Sequence, residues 1–533
     1  MENEINGAIL QIVKRADKCD KNTLVETFVN LGSLLPLLKG CDNHILYGRR
    51  GTGKTHILSY LCTLLEKQYD CPIYIDLRIL GSTNSIYTNN QLPIEQRVTR
   101  LVIDIFSEIH DQINSFITQN DTAKEQYIVE AVPILSKISE ELSQISIIGD
   151  TTVENRIEMA KSNELELQAT IGTSSGLEFG TSKRNEDKKV EQITQHGTTV
   201  RYLHFPSIMN LFKDLLSIFS PHRIWIILDE FSEIPYDLQP YLSDMLRRTL
   251  APLNNIVIKI GAIEHRTNLK IQIDNKQYMG LEIGADIYSC NLDDYMVFNN
   301  NDVQTLFFFK ELLYRHINSL LPDGVKYNDS TKLISDLFTQ EAAFEELARA
   351  AEGVPRDAFN ILSVAVTNDF YNKVSVPNIR QAAKKWYNQD KEASVKSYKE
   401  ARNLLNWIID TVIGERHARA FLLQSDENHE LIDFLYDARV LHIIKQSVSS
   451  RDTPGIRYNV YSIDYGCYVD LINTSRNPKG LFEVEDENGE NDFCKVPQND
   501  YRSIRRAILN SKRLRDATIV LQTRVFSFVI KKR

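Results

Sequence analysis

Residues Gly48–Thr55 read GRRGTGKT, a full match to GxxxxGK[ST], and no other feature of the chain restricts its fold so tightly. The glycines let backbone N–H groups close around an anion, and a helix starting at the end of the loop points its partial positive end at the same place. Such a loop works only between a buried strand and a helix. His44–Tyr47 supplies a short apolar strand before it, and Ile57, Leu58, Leu61 and Leu65 recur at helical spacing from about Thr55 to Gln68. CPIYIDLRIL beyond them has the unbroken apolar run of a second buried strand. Strand, glycine-rich loop, helix and strand open a doubly wound, parallel α/β sheet.

The loop is expected to cradle the phosphates of ATP. Gly48, Arg49, Arg50, Gly51, Thr52, Gly53, Lys54, Thr55 and His56 are the candidate cofactor-binding residues, with Lys54 reaching the β- and γ-phosphates and Thr55 offering its hydroxyl to Mg²⁺. The acidic half of such a site belongs at the end of another buried strand. Arg223–Leu228 is that strand, and it runs directly into Asp229 and Glu230. Asp229 is the second candidate metal residue, acting through water. Glu230 is the candidate base that orients or deprotonates the attacking water, which favours hydrolysis over binding alone.

Between the two halves lies far more chain than a βαβ step of about 30 residues requires, which predicts an insertion at about 81–200. Two helices are expected in it, at about Ile94–Thr118 and Thr122–Gln144. ELELQATI turning at SSG into LEF suggests a β-hairpin arm, and the polar run SKRNEDKKVEQITQHG behind it reads as a loop. Residues 1–43 read as helical. Past Leu228 the pattern gives a helix at about Tyr236–Thr249, a strand Ile256–Gly261, another strand near Asp286–Ser289, then helices from about Asn299 to Gln389. From Ser394 it gives helices at Ala401–Ile413, His417–Leu423 and Glu427–Arg439, and two strands, VLHIIKQ and IRYNVYSID, around a turn. Helices followed by a two-stranded wing describe a winged helix.

Composition narrows the class. The net charge is −9, no apolar run of about 18 residues could span a bilayer, and the N-terminus lacks the apolar core of a secretory signal, so a cytoplasmic chain without membrane partners is expected. The seven cysteines are scattered and never spaced as CxxC, which fits reduced core thiols. Charge is uneven: ten cations lie between Val496 and Arg533 against Asp500 and Asp516, just after the acidic EVEDENGEND run. That tail can bind nucleic acid or pair with the chain's own acidic surface.

Together these motifs resemble the AAA+ ATPases, specifically the initiator clade of origin-recognition and archaeal initiator proteins. YGRRGTGKTH and KIGAIEHRT look most like the bacterial origin-recognition-like ATPases. The likeness covers about residues 25–75 and 200–465. It implies an AAA+ domain at 1–298, a helical lid at 299–392, a winged helix at 393–475, and an acidic linker and basic segment at 476–533. Strand NNIVIKIGAIEHRTNL is similar to the first sensor, placing Glu264, His265, Arg266 and Asn268 near the γ-phosphate. GVPRDAFNIL resembles the second sensor, with Arg356 reaching from the lid. Catalytic candidates are therefore Glu230, Lys54, Arg356 and Arg266, while Arg247 or Arg248 could act in trans as a finger. The helix Glu427–Arg439 carries Glu427, Glu430, Asp433 and Asp437, which phosphates would repel, so it points to protein contact, or to DNA contact through Lys445, Arg451 and Arg457 of the wing, with the basic tail a further candidate for DNA. The resemblance implies an ATP-driven switch that assembles with copies of itself or with an effector protein, by analogy in anti-phage defence or a mobile element. A STAND-like signalling ATPase sensing a ligand through the insertion, and an origin-type DNA loader, stay open beside it.

Overall fold

The computed structural model describes residues 2–473 apart from 81–85, 120–124, 144, 149–150, 154–192, 196–197, 202, 275–276, 297–301, 416–419, 426–428 and 450–455, together with 483–485 and 491–493. The strands, in chain order, begin with β1 (His44–Tyr47) and β2 (Cys71–Asp76). The insertion contributes β3 (Ile145–Ile148), β4 (Thr151–Val153), β5 (Ile193–Gln195) and β6 (Thr198–Arg201). After them come β7 (Ile224–Asp229), β8 (Ile256–Ala262), β9 (Lys270–Asp274), β10 (Gln277–Gly280) and β11 (Tyr288–Asn291).

Five of these strands form one sheet in the order β11-β1-β8-β7-β2, all neighbours parallel. In chain order this is 5-1-4-3-2. The alternation of side chains in β7 sorts its residues to two cores. Trp225 and Ile227 face a cluster with Leu58, Leu61 and Leu65 of the helix Lys54–Glu66, continuous with the lid. Ile224, Ile226 and Leu228 face a second cluster with the helices Ile94–Gln119, Glu125–Ser143, Phe205–Phe219 and Gln239–Thr249. Both faces are covered, which is why β7 is apolar throughout rather than alternating.

Much of the insertion is therefore core. Its first helix also closes the sheet's outer edge: Gln112 accepts from the Tyr74 N–H at 2.9 Å and donates to the Tyr74 carbonyl at 2.8 Å, taking the place of a further strand beside β2. The hairpin differs from expectation. β3 pairs with β6 and β4 with β5, so Ile193–Gln195, expected within a loop, is a strand. ELELQATI lies outside the described residues. The N-terminal 43 residues are not one helical run but three short α-helices, Glu2–Gln11, Lys21–Thr27 and Leu34–Leu38, with a 3-10 turn Ala16–Lys18 between the first two. Asp20 caps the second through the N–H groups of Asn22 and Thr23.

Beyond the sheet, helices Asp302–Asn318, Ser330–Leu337, Glu341–Ala351, Pro355–Asn368 and Val376–Trp386 form the lid. Asn6 of the first helix donates to the Phe370 carbonyl at 2.7 Å, and Arg315 to the Phe28 carbonyl at 2.8 Å, so the N-terminal helices brace lid against sheet. The last unit holds helices Lys399–Ile408 and Glu430–Asp437 and a three-stranded antiparallel sheet of β12 (Ala420–Gln424), β13 (Leu441–Ser449) and β14 (Arg457–Ile463), ordered β12-β14-β13. Ala420–Gln424 was expected to be helical. An apolar run this short cannot be assigned from its period, and here β14 offers it a free edge. A further hairpin, β15 (Glu483–Glu485) with β16 (Asn491–Phe493), follows in the acidic segment; the basic residues 496–533 lie outside the described residues. Of the six described cysteines, all unpaired, Cys71 and Cys290 are buried but Cys41 is exposed, so not all are core thiols. Among the described residues no helix is long and apolar enough to cross a membrane.

Candidate functional site

The loop between β1 and the helix Lys54–Glu66 is shaped by glycines in the left-handed region, Gly51 at φ 88° and Gly53 at φ 102°. A side chain at Gly51 would come within 2.8 Å of Arg356 Cβ, so this position must remain bare for the lid to approach. The Arg356 N–H in turn meets the Gly51 carbonyl at 3.3 Å. Lid and loop touch directly, at the N-terminus of the helix Pro355–Asn368.

Lys54 is buried and donates to the carbonyls of Gly48 at 2.7 Å and Arg49 at 3.2 Å. Burial lowers its pKa, while Glu230 and Asp229 oppose the shift. Thr55 Oγ1 donates to Asp229 Oδ2 at 2.6 Å, bringing together two residues 174 positions apart. The same carboxylate oxygen accepts from the Tyr74 hydroxyl at 2.7 Å, and Oδ1 accepts from the Glu230 N–H at 2.8 Å. Glu230 stands at φ 54°, ψ 40°, a conformation rare for a residue with a β-carbon and characteristic of constrained sites. Burial raises its pKa, opposed by Lys54 and Arg78. Arg78 Nη1 is 3.8 Å from Glu230 and Nη2 is 2.5 Å from Asp76; Arg50 pairs with Glu233 at 2.5 Å.

Arg50, Lys54, Thr55, Arg78, Glu230 and Glu233 line a cleft of about 340 Å³, within the size range of small-molecule sites, while Asp229, fully buried, stands behind Thr55 and does not line it. Arg50, Gly51, Thr52, Gly53, Lys54, Thr55 and His56 form one wall, Glu230 and Arg78 another, and Arg356 closes it from the lid. Arg356 Nε is buried with no hydrogen-bond partner, and burial lowers the pKa of its guanidinium. Apolar and aromatic lining comes from Val13, Phe28, Leu31, Phe308, Leu312, His316 and Phe359, and Lys14, Arg15 and Asp17 add charged groups.

Not every expected residue reaches the cleft. Arg266 does not: its Nε is 3.1 Å from Asp437 Oδ2 on the helix Glu430–Asp437. His265 lies 3.6 Å from both Asp433 and Asp437, and although burial opposes it, these carboxylates hold its pKa above the usual value. The acidic helix Glu430–Asp437 thus packs Asp433 and Asp437 against the end of β8. Glu264 accepts from Asn291 at 2.9 Å, and the Asn268 N–H donates to Gln239 at 2.7 Å. Arg49 and Gly48 do not line the cavity; the Arg49 side chain turns away from it into the protein interior, is 1% exposed, and pairs with Asp293. His56 does line it, with Nε2 2.9 Å from the Leu24 carbonyl. Arg247 lies against Tyr278 and Asp286, and Arg248 pairs with Asp244.

Sequence reasoning missed Tyr74, Arg78 and Gly261. The tyrosine alternates inward from β2 beside Asp229, and only the strand order reveals the pair. Gly261, on β8, leaves the space that Asp229 fills.

Parallel order 5-1-4-3-2, a GxxxxGKT loop after the first strand, paired carboxylates after the third, and a helical lid reaching back over the loop define a P-loop α/β fold. No protein-family model matches the chain, and no curated protein matches it in sequence. Among solved structures, it is similar to the Aeropyrum pernix ORC1 protein in complex with DNA, at 14% identity over 86% of this chain and 93% of that one, with a TM-score of 0.30. The fold rests on this chain's own strand order and loop.

Proposed function

We propose that the chain is an ATP-binding and ATP-hydrolysing switch. The observation that carries this is the convergence of Lys54 and Thr55, Glu230, and Arg356 on one cleft from three separate elements. Lys54 and the loop N–H groups would hold the β- and γ-phosphates, with the apolar lining of the cleft accepting the base. The donor set suits Mg²⁺: a Thr55 hydroxyl beside a single Asp229 carboxylate leaves most coordination positions to water and phosphate oxygens, as that ion prefers. When bound, the ion neutralises charge on the transferring phosphoryl oxygens. Glu230 orients the attacking water and takes its proton, and its raised pKa makes it a better base than an exposed carboxylate. Arg356, which lines the cleft from the lid and keeps a buried, unpaired Nε, is suited to the γ-phosphate and thereby ties lid position to nucleotide state.

The switch acts by assembling with copies of itself or an effector protein in the cytoplasm, with DNA engaged through Lys445, Arg451 and Arg457 or the basic tail. Support for DNA contact comes from charge alone: the tail holds ten cations, whereas Asp433 and Asp437 face His265 and Arg266. A signalling latch that retains its nucleotide is the second reading, favoured by the packing of the winged helix directly on the P-loop domain. Calorimetry with Mg²⁺-ATP tests the shared premise. Lys54→Ala should weaken binding by about 10- to 100-fold, the range for losing hydrogen bonds to a charged donor. Equal affinity in both proteins would remove the site.

A further inference from the structure

The phosphate loop is gripped from behind by groups that its cleft does not use. Arg49 points into a buried junction of three units. Asp293, following β11, accepts from the Arg49 N–H at 3.0 Å and from Nε at 2.8 Å. His442, on β13 of the winged helix, has Nδ1 2.5 Å from Arg49 Nη1. The Tyr436 ring lies 5.1 Å from the Arg49 guanidinium carbon. On the cleft side, the Arg49 carbonyl accepts from Lys54 Nζ and, at 2.8 Å, from Thr52 Oγ1. The backbone of Arg49 therefore links the winged helix to the lysine of the motif.

We propose that His442 is a positioning residue for the phosphate loop, so that the docked winged helix sets nucleotide affinity through Arg49. This rests on the loop being an ATP site. The histidine's partners fix its proton. Nε2 is 2.9 Å from Asp464 Oδ2, and a carboxylate only accepts, so Nε2 carries the hydrogen and Nδ1 is the acceptor facing Arg49. Asp464 is held in turn by Lys391 at 2.5 Å, and Lys391 by Asp357 at 3.1 Å, next in sequence to Arg356. Asp293 accepts from Nε of the buried guanidinium, the Glu352 carbonyl accepts from Nη2 at 3.4 Å, and His442 faces Nη1. Withdrawing the histidine acceptor leaves a charged donor unpaired, and the least costly relief is for Arg49 to move, taking its carbonyl and Lys54 with it. By linkage, nucleotide on the loop must strengthen the docking of the winged helix by the factor by which docking strengthens nucleotide binding.

Two near-isosteric substitutions separate this role from general packing. His442→Asn keeps an oxygen near Nδ1 for Arg49 and loses the donor to Asp464; His442→Gln keeps an N–H near Nε2 and loses the acceptor. Titrating a non-hydrolysable ATP analogue with Mg²⁺ into the full chain should show affinity about tenfold weaker in His442→Gln, the order of one hydrogen bond to a charged group, and within about threefold of native in His442→Asn. Equal losses in both, or none in either, overturn the proposal while leaving the ATP site intact; a native chain that does not bind the analogue overturns the ATP reading instead. The native protein offers a second arm that does not depend on the variants folding. The analogue should slow amide exchange at Leu441–Ile444, and exchange unchanged by nucleotide contradicts the coupling.

Discussion

Gly261 on β8 has no room for a side chain, because a β-carbon there would lie 2.5 Å from Asp229 Oδ1 and 2.8 Å from Leu58 Cδ1. Both neighbours are fixed, the carboxylate by Thr55 and Tyr74 and the leucine by the core. Gly261→Ala should cost about 1–3 kcal/mol as an overpacked core and displace Asp229, lowering the melting temperature and the Mg²⁺ dependence of any nucleotide binding together. An alanine variant with native melting temperature and metal response would show that the carboxylate is free to move. Arg356→Ala should keep ADP affinity and lose any preference for ATP, because the side chain is suited to the γ-phosphate; unchanged discrimination in paired titrations would make it a packing residue. At this scale the sequence is most legible where a motif fixes side-chain positions, as for Lys54, Thr55, Asp229 and Glu230. It is least legible at the variable motif positions. Arg49 and Arg50 are neighbours of one type, yet one is buried against Asp293 and the other pairs at the surface with Glu233, and only the packed winged helix tells them apart.

Strand β13 carries one pH-sensitive contact, at His442. The neutral His442 ring donates to Asp464 and accepts from Arg49; a second ring proton would point at the guanidinium. Burial and Arg49 accordingly hold its pKa below the usual 6.5, outweighing Asp464 and Glu352. For a histidine whose folded pKa is lowered, the stabilisation is full above 6.5 and is lost as pH falls from there through the folded value. Melting temperatures from pH 7.5 to 5 should thus fall more steeply for native protein than for His442→Asn. Lys391, raised by Asp357 and Asp464 against burial, stays charged throughout this window. Parallel curves would contradict the assigned proton. Elements were legible where long periodic runs specified them, as in Ile94–Gln119, and not where short apolar runs had two outcomes. Ala420–Gln424 became a strand because β14 was beside it, and Ile193–Gln195 because β4 was, facts about neighbours rather than about either segment.

Across the whole molecule, the winged helix is packed on the P-loop domain by Arg266–Asp437 and His265–Asp433 at one contact and Arg49–His442 at the other. Sequence spacing located Arg266 at the end of β8 but could not show which way the chain beyond it folds back, so a sensor was expected where a docking residue stands. Arg266→Ala should therefore loosen the winged helix, seen as faster proteolysis within 399–463; unaltered cleavage would remove Arg266 from the contact. If the basic tail binds DNA, deleting Asp500–Arg533 should flatten the salt dependence of binding, since about one counterion is released per neutralised phosphate, and identical slopes would assign the tail to the chain's own acidic run. The central claim, that this assembly closes on ATP and hydrolyses it at Glu230, is tested most directly by Glu230→Gln. That change keeps size and hydrogen bonding and removes the base, so steady-state hydrolysis should fall about 100- to 10,000-fold while Mg²⁺-ATP affinity, resting on Lys54, Thr55 and Asp229, is retained. Hydrolysis at the native rate by Glu230→Gln would contradict the account.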